Sequence, residues 1–536
     1  MNQIFIYDTT LRDGTQGEDF QLSVPEKLAI TEILDDFGFH YIEGGWPGSN
    51  PRDEEYFKKA RQLVLKNTRL AAFGSTRRAG VKASEDANLL KLVSAKVPVA
   101  TIFGKSSRYQ AETILKVSAE QNLEMVFDSV NYLKAHFDEV MFDAEHFFDG
   151  YVSSPDYAMK VLGAALEAGA DFVVLCDTNG GSLPHQVSAA VEAVKRKFDC
   201  SIGIHAHDDS GLAVANSLEA VRMGASLVQG TVNGHGERCG NANLITVIPN
   251  LQLQMKKNCL GPGRLQGLTR LSRTLDEMTN YVSNPQQPFV GRRSFSHKGG
   301  VHINAVMKDT GSYEHIRPEE VGNRRRILAS DLSGYSAIVL KAREFGLDLD
   351  SQNPLTRKVL ERVKDLEYEG YQFEGAEASL MLLMHEAAGT RKEFFRFHSA
   401  TVTTDLTAEP KTVGESSKAV VDLEVEGRRV QSHQTGNGPV HALANAFRDV
   451  LELAYPELRE VRLVDYKVRI LSSGNGFAAT VRVLVQATDG RQTWGTVGVS
   501  TNIVEASRKA VTDALETKLF RERNADGSSA SLKKVG

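Results

Sequence analysis

Within the first 260 residues, a short apolar run ending in small or polar residues is followed by an amphipathic helical stretch, and the pattern occurs eight times. The runs cover residues 4–8, 41–45, 70–74, 97–103, 139–145, 172–177, 202–207 and 227–233. The helical stretches between them include 25–37, 53–65, 111–134, 155–168, 185–198 and 211–223. Several open on a start signal such as Ser23-Val24-Pro25 or Ser153-Ser154-Pro155, and several close on a glycine such as Gly38, Gly169 or Gly224. Strands that are apolar on both faces and joined by helices are parallel, because a parallel connection needs a crossover. Eight such units close naturally into a barrel, so the expected fold class is α/β with a (β/α)8 TIM barrel over residues 1–260. An open doubly wound sheet is the other arrangement, but no Gly-x-Gly-x-x-Gly follows the first run.

A barrel carries its chemistry at the C-terminal ends of its strands. The polar residues of this chain fall there. The first run ends in Asp8-Thr9-Thr10-Leu11-Arg12-Asp13-Gly14, the second carries Glu43, and the fifth ends in Asp143-Ala144-Glu145. The sixth ends in Asp177-Thr178-Asn179, the seventh in His205-Ala206-His207, and the eighth leads to Asn233 through Asn241. Carboxylates in buried strands are costly unless they are paired or bound to a metal. Residues two apart on a strand share a face, so His205 and His207 point the same way and could begin a divalent-metal site. Two surface histidines on a fraying strand end fit the local sequence equally well.

At 536 residues the chain exceeds what one hydrophobic core supports. Residues 261–390 break the rhythm and read as linker subdomains, with helices near 265–281, 336–345, 354–369 and 376–388. Between them lie loops rich in glycine, proline and charge, one of which carries His302 in Gly300-Val301-His302. Residues 391–520 hold an internal repeat, a β stretch followed by a helix, once at 420–453 and again at 480–519. That predicts a small pseudo-symmetric α+β domain. Residues 521–536 are rich in serine, lysine and aspartate and read as a disordered tail. A net charge of -5 gives no reason to expect nucleic acid or an anionic membrane as partner. No apolar run is long enough to span a bilayer. The four cysteines show no CxxC pair, and the first residues run into a strand without a secretory signal, so a cytoplasmic location is expected.

Taken together, the stretch from Asp8 to Gln16, the His205-x-His207 pair and Gly236-Glu237-Arg238-x-Gly240-Asn241 resemble the DRE-TIM metallolyase superfamily. Within it the chain is similar to the Claisen-condensing acyltransferases, which include the 2-isopropylmalate, homocitrate and citramalate synthases. The stretch from Ile42 to Pro51 looks most like the citramalate branch, whose acceptor is pyruvate; the isopropylmalate branch, which takes 2-oxoisovalerate, is the alternative. A lyase of the hydroxymethylglutaryl-CoA type would be expected to lack the C-terminal repeat. A non-catalytic amino-acid sensor would be expected to have lost metal ligands.

The resemblance implies a divalent cation (Mn2+, Mg2+, Co2+ or Zn2+) held by Asp13, His205, His207 and Asn241, with acetyl-CoA as co-substrate. It implies that Arg12 stabilises the oxygen that becomes an alkoxide, with Glu43 and Thr178 also at the substrate. An ion pair to Glu43 or Glu145 is the structural alternative for Arg12, and a helix N-cap that for Thr178. The implied general base is His302, oriented by Glu145 and assisted by Tyr313, reaching the barrel of a second copy in a homodimer. Phe73, Phe103 and Trp46 are candidates for limiting the size of the oxo acid. The C-terminal repeat resembles this family's regulatory domain, with isoleucine as the implied effector near Gly436, Gly438 and Pro439. His441 stands where the usual pattern has aspartate.

Overall fold

The computed structural model describes residues 3–330, 334–350, 352–405, 416–471 and 479–531, with side chains described through residue 523. Met1 and Asn2, included in the reading of the N-terminus, lie outside the described residues. The chain divides into two compact units. One comprises residues 1–295 and 315–325, the other 296–314 and 326–536. This division falls inside the stretch read as linker subdomains.

The first unit is a closed barrel of eight parallel strands in sequence order. They are β1 (Phe5–Asp8), β2 (Tyr41–Gly45), β3 (Arg69–Ser75), β4 (Val99–Lys105), β5 (Glu139–Glu145), β6 (Phe172–Asp177), β7 (Ser201–Ala206) and β8 (Leu227–Gly230). Closure is made by β8 pairing with β1, Phe5 opposite Leu227 and Asp8 opposite Gly230. Alternation along the strands sorts their side chains onto two faces. Phe172, Val174 and Cys176 of β6 belong to a cluster inside the barrel with Tyr7, Tyr41, Val99 and Met141. Val173 and Leu175 join the larger cluster beneath the helices.

The helices start where local chemistry can satisfy their first N–H groups. Ser23 and Glu26 form a capping box on Val24–Phe37, which ends at Gly38 in the left-handed region (φ 95°). Asn50 caps Pro51–Ala60, so that helix starts and stops earlier than the 53–65 reading. The helix read over 111–134 is two elements. A π-helical turn, Gln110–Leu115, ends on Lys116 at φ 57°, and Ser118 then caps Ala119–Lys134. A serine whose side chain accepts from Gln121 N is a stronger start signal than continuous periodicity. The helix Ala87–Ala95, with Asp86 as its cap, has no counterpart among the helices read from the sequence. The run read as 227–233 stops at Gly230, because the chain turns at once into the loop that carries Asn241.

In the second unit a short parallel pair, β9 (Ser296–His297) and β10 (Arg326–Ile327), precedes the C-terminal repeat. His302 lies in helix Gly300–Lys308, not in a glycine-rich loop as the sequence suggested. Gly299 and Gly300 sit at the helix start, where their lack of a side chain costs least. The repeat is twice a three-stranded antiparallel sheet followed by a helix. The first copy is β11 (Phe395–Thr404), β12 (Ser417–Val425), β13 (Arg428–Gly436) and helix Pro439–Ala454. The second is β14 (Arg462–Ile470), β15 (Val481–Thr488), β16 (Thr493–Ser500) and helix Ile503–Ser531. Glu426 and Gly427, both at positive φ, make the two-residue turn between β12 and β13. The last helix continues to Ser531, into the tail read as disordered; Arg521, Glu522 and Arg523 are good helix formers, and Glu522 pairs with Lys518 one turn back. Residues 532–536 of that tail lie outside the described residues. Among the described residues no helix is long and apolar enough to cross a membrane.

Candidate active site

The mouth of the barrel, at the C-terminal ends of its strands, collects Asp13, His205 and His207, whose ligating atoms all lie within 4.8 Å of one another. Asp13 follows β1, His205 is inside β7, and His207 follows β7 directly. His205 Nε2 lies 3.2 Å from His207 Nε2 and 3.4 Å from Asp13 Oδ2. All three residues are buried. Asn241 joins them through an isolated antiparallel bridge to His207. The glycines around it explain the motif. A Cβ on Gly236 would collide with Asn241 Nδ2, and one on Gly240 would collide with the Gly234 carbonyl oxygen. Both glycines have positive φ, so the loop can fold tightly enough to bring Asn241 beside the histidines.

These four residues fit a divalent cation. Two imidazole nitrogens face each other beside a carboxylate oxygen, while Asn241 Oδ1 and His207 Nδ1 are buried without a hydrogen-bond partner. Buried polar atoms are rarely left so. Nitrogen and oxygen donors without a thiolate suit Mg2+, Mn2+, Co2+ or Zn2+. Against the effect of burial, Arg12 and then the two imidazoles hold the Asp13 carboxyl well below the usual carboxylate range. Burial, with His205 beside it, pulls His207 down to about 4, so it is a neutral imidazole at physiological pH.

Arg12 is aimed rather than free. Its Nε donates to Glu43 Oε1 at 2.6 Å, its Nη1 lies 3.3 Å from Asp13, and its guanidinium sits 3.7 Å over the Phe73 ring. Of the two ion pairs open to it, the one with Glu43 is formed. Glu43 is fully buried with both oxygens engaged, the second by the Tyr7 hydroxyl at 2.7 Å. Glu43 therefore serves the cleft through Arg12 and is not itself presented to a substrate. Glu145 pairs with Lys105. The Thr178 hydroxyl accepts from His146 N at 2.8 Å, and the next helix begins at Pro184 with Leu183 as its N-cap, so Thr178 is no helix cap.

The cleft at this mouth has a volume of about 200 Å³ and is lined by Arg12, Asp13, Thr178, Glu145 and the two histidines. One wall is aromatic. Phe73 stacks on Phe103 at 5.5 Å, and Trp46 stands edge-on to both. Trp46 is pinned by its Nε1–H, which donates to Asn88 Oδ1 at 2.6 Å. His302 and Tyr313 belong to the second unit, where their ring centroids are 4.3 Å apart. Gly436, Gly438 and Pro439 lie at the end of β13 and the start of the following helix. A Cβ on Gly436 would collide with Ala442 N, and His441 Nδ1 accepts from Asn437 N.

Sequence reasoning gave no role to three residues here, although it named Asp143 at the end of the fifth strand and Arg238 in the loop motif. Arg238 bridges two rim loops, donating to both oxygens of Asp209 and to the Thr178 carbonyl. Gln229 of β8 and Asp143 of β5 are buried inside the barrel and bonded to each other. A glutamine inside an apolar strand was the available signal, because a buried amide needs partners.

The chain matches the HMGL-like family profile over residues 3–274, the homocitrate synthase post-HMGL domain-like profile over 289–370 and the LeuA allosteric (dimerisation) domain over 374–519. It is 50% identical over 528 residues to the (R)-citramalate synthase of Geobacter sulfurreducens, covering 98% of this chain and 100% of that protein. It is 50% identical to the (R)-citramalate synthase of Aquifex aeolicus, covering 97% and 98%. A probable 2-isopropylmalate synthase of Methanopyrus kandleri is 33% identical, covering 98% and 100%.

Proposed function

Because the chain belongs to the HMGL-like family and, through its full-length relatives, to the citramalate synthase branch, we propose that it condenses acetyl-CoA with pyruvate and water to give (R)-citramalate and CoA. It is a condensing acyltransferase, and enzymes of its family use a divalent metal. The observation that carries the proposal is the cluster of Asp13, His205 and His207 beside Arg12 in a cleft of about 200 Å³ with an aromatic wall. That space suits a small 2-oxo acid.

A bound divalent cation would be held by Asp13, His205, His207 and Asn241 and would supply Lewis acidity toward the ketone carbonyl. Arg12, locked by Glu43, donates to the ketone oxygen as negative charge builds on it, where a preoriented donor lowers the barrier most. Thr178 binds the substrate carboxylate. His302 takes a proton from the acetyl methyl group, and the resulting carbanion adds to the ketone carbon. Tyr313, whose ring lies tilted against that of His302, steadies the ring, and the Glu145 carboxylate orients it. The His302 helix of one copy serves the barrel of another, so the working unit is a homodimer joined through the LeuA-type domain. The alkoxide takes up a proton in place of the one that His302 removed, and water then cleaves the thioester, so that CoA leaves as the thiol. Nothing in this scheme needs a covalent acyl-enzyme.

The aromatic wall is proposed to exclude branched acceptors. In a CoA thiol-release assay, kcat/KM is expected to be highest on pyruvate. A higher value on 2-oxoisovalerate would replace this reading with the isopropylmalate one, the activity named for the more distant relatives. Arg12→Lys keeps the charge but loses the planar fork that holds Glu43. It is expected to lower kcat about 10² to 10³-fold with little change in the KM for pyruvate. Initial rates over a pyruvate series check this, and a kcat within twofold of the parent would rule out the role.

Isoleucine is the proposed effector. Its support is a cavity of about 490 Å³ lined by apolar residues such as Leu463, Val485 and Val511 and by the polar His441, Asn445 and Arg448. The start of helix Pro439–Ala454 adds free backbone N–H groups for a carboxylate.

A further inference from the structure

The barrel interior holds a chain of polar side chains directly behind the metal-ligand cluster. His205 and Gln229 are register partners across β7 and β8, and His205 Nδ1 lies 2.9 Å from Gln229 Oε1. The other end of the same amide, Gln229 Nε2, donates to Asp143 Oδ1 at 3.0 Å from across the barrel. All three side chains are buried.

A primary amide is chemically lopsided: its nitrogen only donates and its oxygen only accepts. Asp143 offers an acceptor, so it takes the NH2 end of Gln229. The oxygen end must then face His205, and a bond forms only if Nδ1 carries the proton. In that tautomer Nε2 has a free lone pair, and Nε2 is the atom that faces Asp13 Oδ2 and His207 Nε2. The opposite tautomer would point an N–H into the space between the ligands. It would also set two lone pairs against each other at Nδ1 and Oε1. Which ring nitrogen ligates a metal is set by the hydrogen bond made by the other.

We infer that Gln229, oriented by Asp143, is the positioning residue that selects the tautomer of His205 and so makes it a metal ligand. This rests on the metal reading proposed above. Gln229 does not line the cleft, whereas Asp143 forms part of its wall. The place of Gln229 behind His205 gives it a signature of its own, since a change there alters metal affinity while all four ligands stay in place.

The test is a titration of the full-length protein with Mn2+ alone, followed by calorimetry, for the parent, Gln229→Met and the double variant Gln229→Glu/Asp143→Asn. Methionine keeps the length and removes the acceptor, and Mn2+ is expected to bind about 10 to 100-fold more weakly. The double variant reverses the polarity of the inner bond. The carboxylate introduced at position 229 then accepts both from His205 Nδ1 and from the amide introduced at position 143. Affinity is expected to return to within about threefold of the parent. Melting of the metal-free proteins separates affinity from folding. Parent-like Mn2+ binding by Gln229→Met would overturn the inference. So would a double variant that binds as weakly as Gln229→Met, because the restored acceptor would then have done nothing. A parent that binds no Mn2+ would instead remove the metal reading itself, and this inference with it.

Discussion

His207→Ala is expected to strip the protein of its divalent ion and to lower kcat/KM for condensation by on the order of 10³-fold or more, since a Lewis acid at a carbonyl supplies several kcal/mol and each 1.4 kcal/mol is tenfold. The reasoning is geometric. Asp13, His205 and His207 come from opposite ends of the barrel sequence and meet with ligating atoms within 4.8 Å of one another. Loss of one imidazole leaves His205 facing Asp13 alone, while the backbone bridge that holds Asn241 beside position 207 is kept. The fold should survive, because the barrel core lies below the rim and includes neither histidine. Elemental analysis of the purified variant reads the ion, circular dichroism reads the fold, and thiol release reads the rate. A folded variant with a stoichiometric ion and near-parent turnover would end the metal account.

His302→Ala is expected to slow condensation about 10² to 10⁴-fold, the usual contribution of a general base, while Mn2+ affinity stays at the parent value. The acetyl methyl group is a weak acid, so enolate formation depends on a base held close to it. His302 sits in the first turn of its helix with Tyr313 against its ring, a fixed setting in place of a mobile loop. The proposed exchange between copies gives a second readout. Co-expressed His302→Ala and His207→Ala chains should form mixed dimers that regain activity, since the intact barrel of the first receives the intact histidine of the second. If His302 served its own barrel, every site in the mixture would be defective and no activity would return. Unimpaired turnover in the single variant would remove His302 from the chemistry.

Much of the site was legible because it is written in local rules. His205 and His207 share a strand face through a two-residue period, and Asp13 follows the first strand wherever that strand ends. Asn241 could be proposed only through the family motif, since nothing local says that the loop after β8 doubles back. The Gly236 and Gly240 close approaches that make it do so are tertiary facts. The same limit explains the misreadings. The helix read over 111–134 follows apolar periodicity straight through Lys116, where the backbone turns left-handed. Glu43 was read as a substrate contact, because a carboxylate at a strand end looks available until the Tyr7 hydroxyl and the Arg12 guanidinium occupy it.

By itself the sequence determined the strand-and-helix alternation, the closed α/β architecture it implies, the C-terminal repeat and the histidine pair, because each depends on residues within a few positions of one another. Only the tertiary structure decided that Glu43 stands behind Arg12, that Gln229 spans from His205 to Asp143, and that Phe73, Phe103 and Trp46 form one wall. Those contacts join different strands of a closed sheet. Their geometry is set by strand register and by the packing of the barrel interior, which no local window of residues encodes.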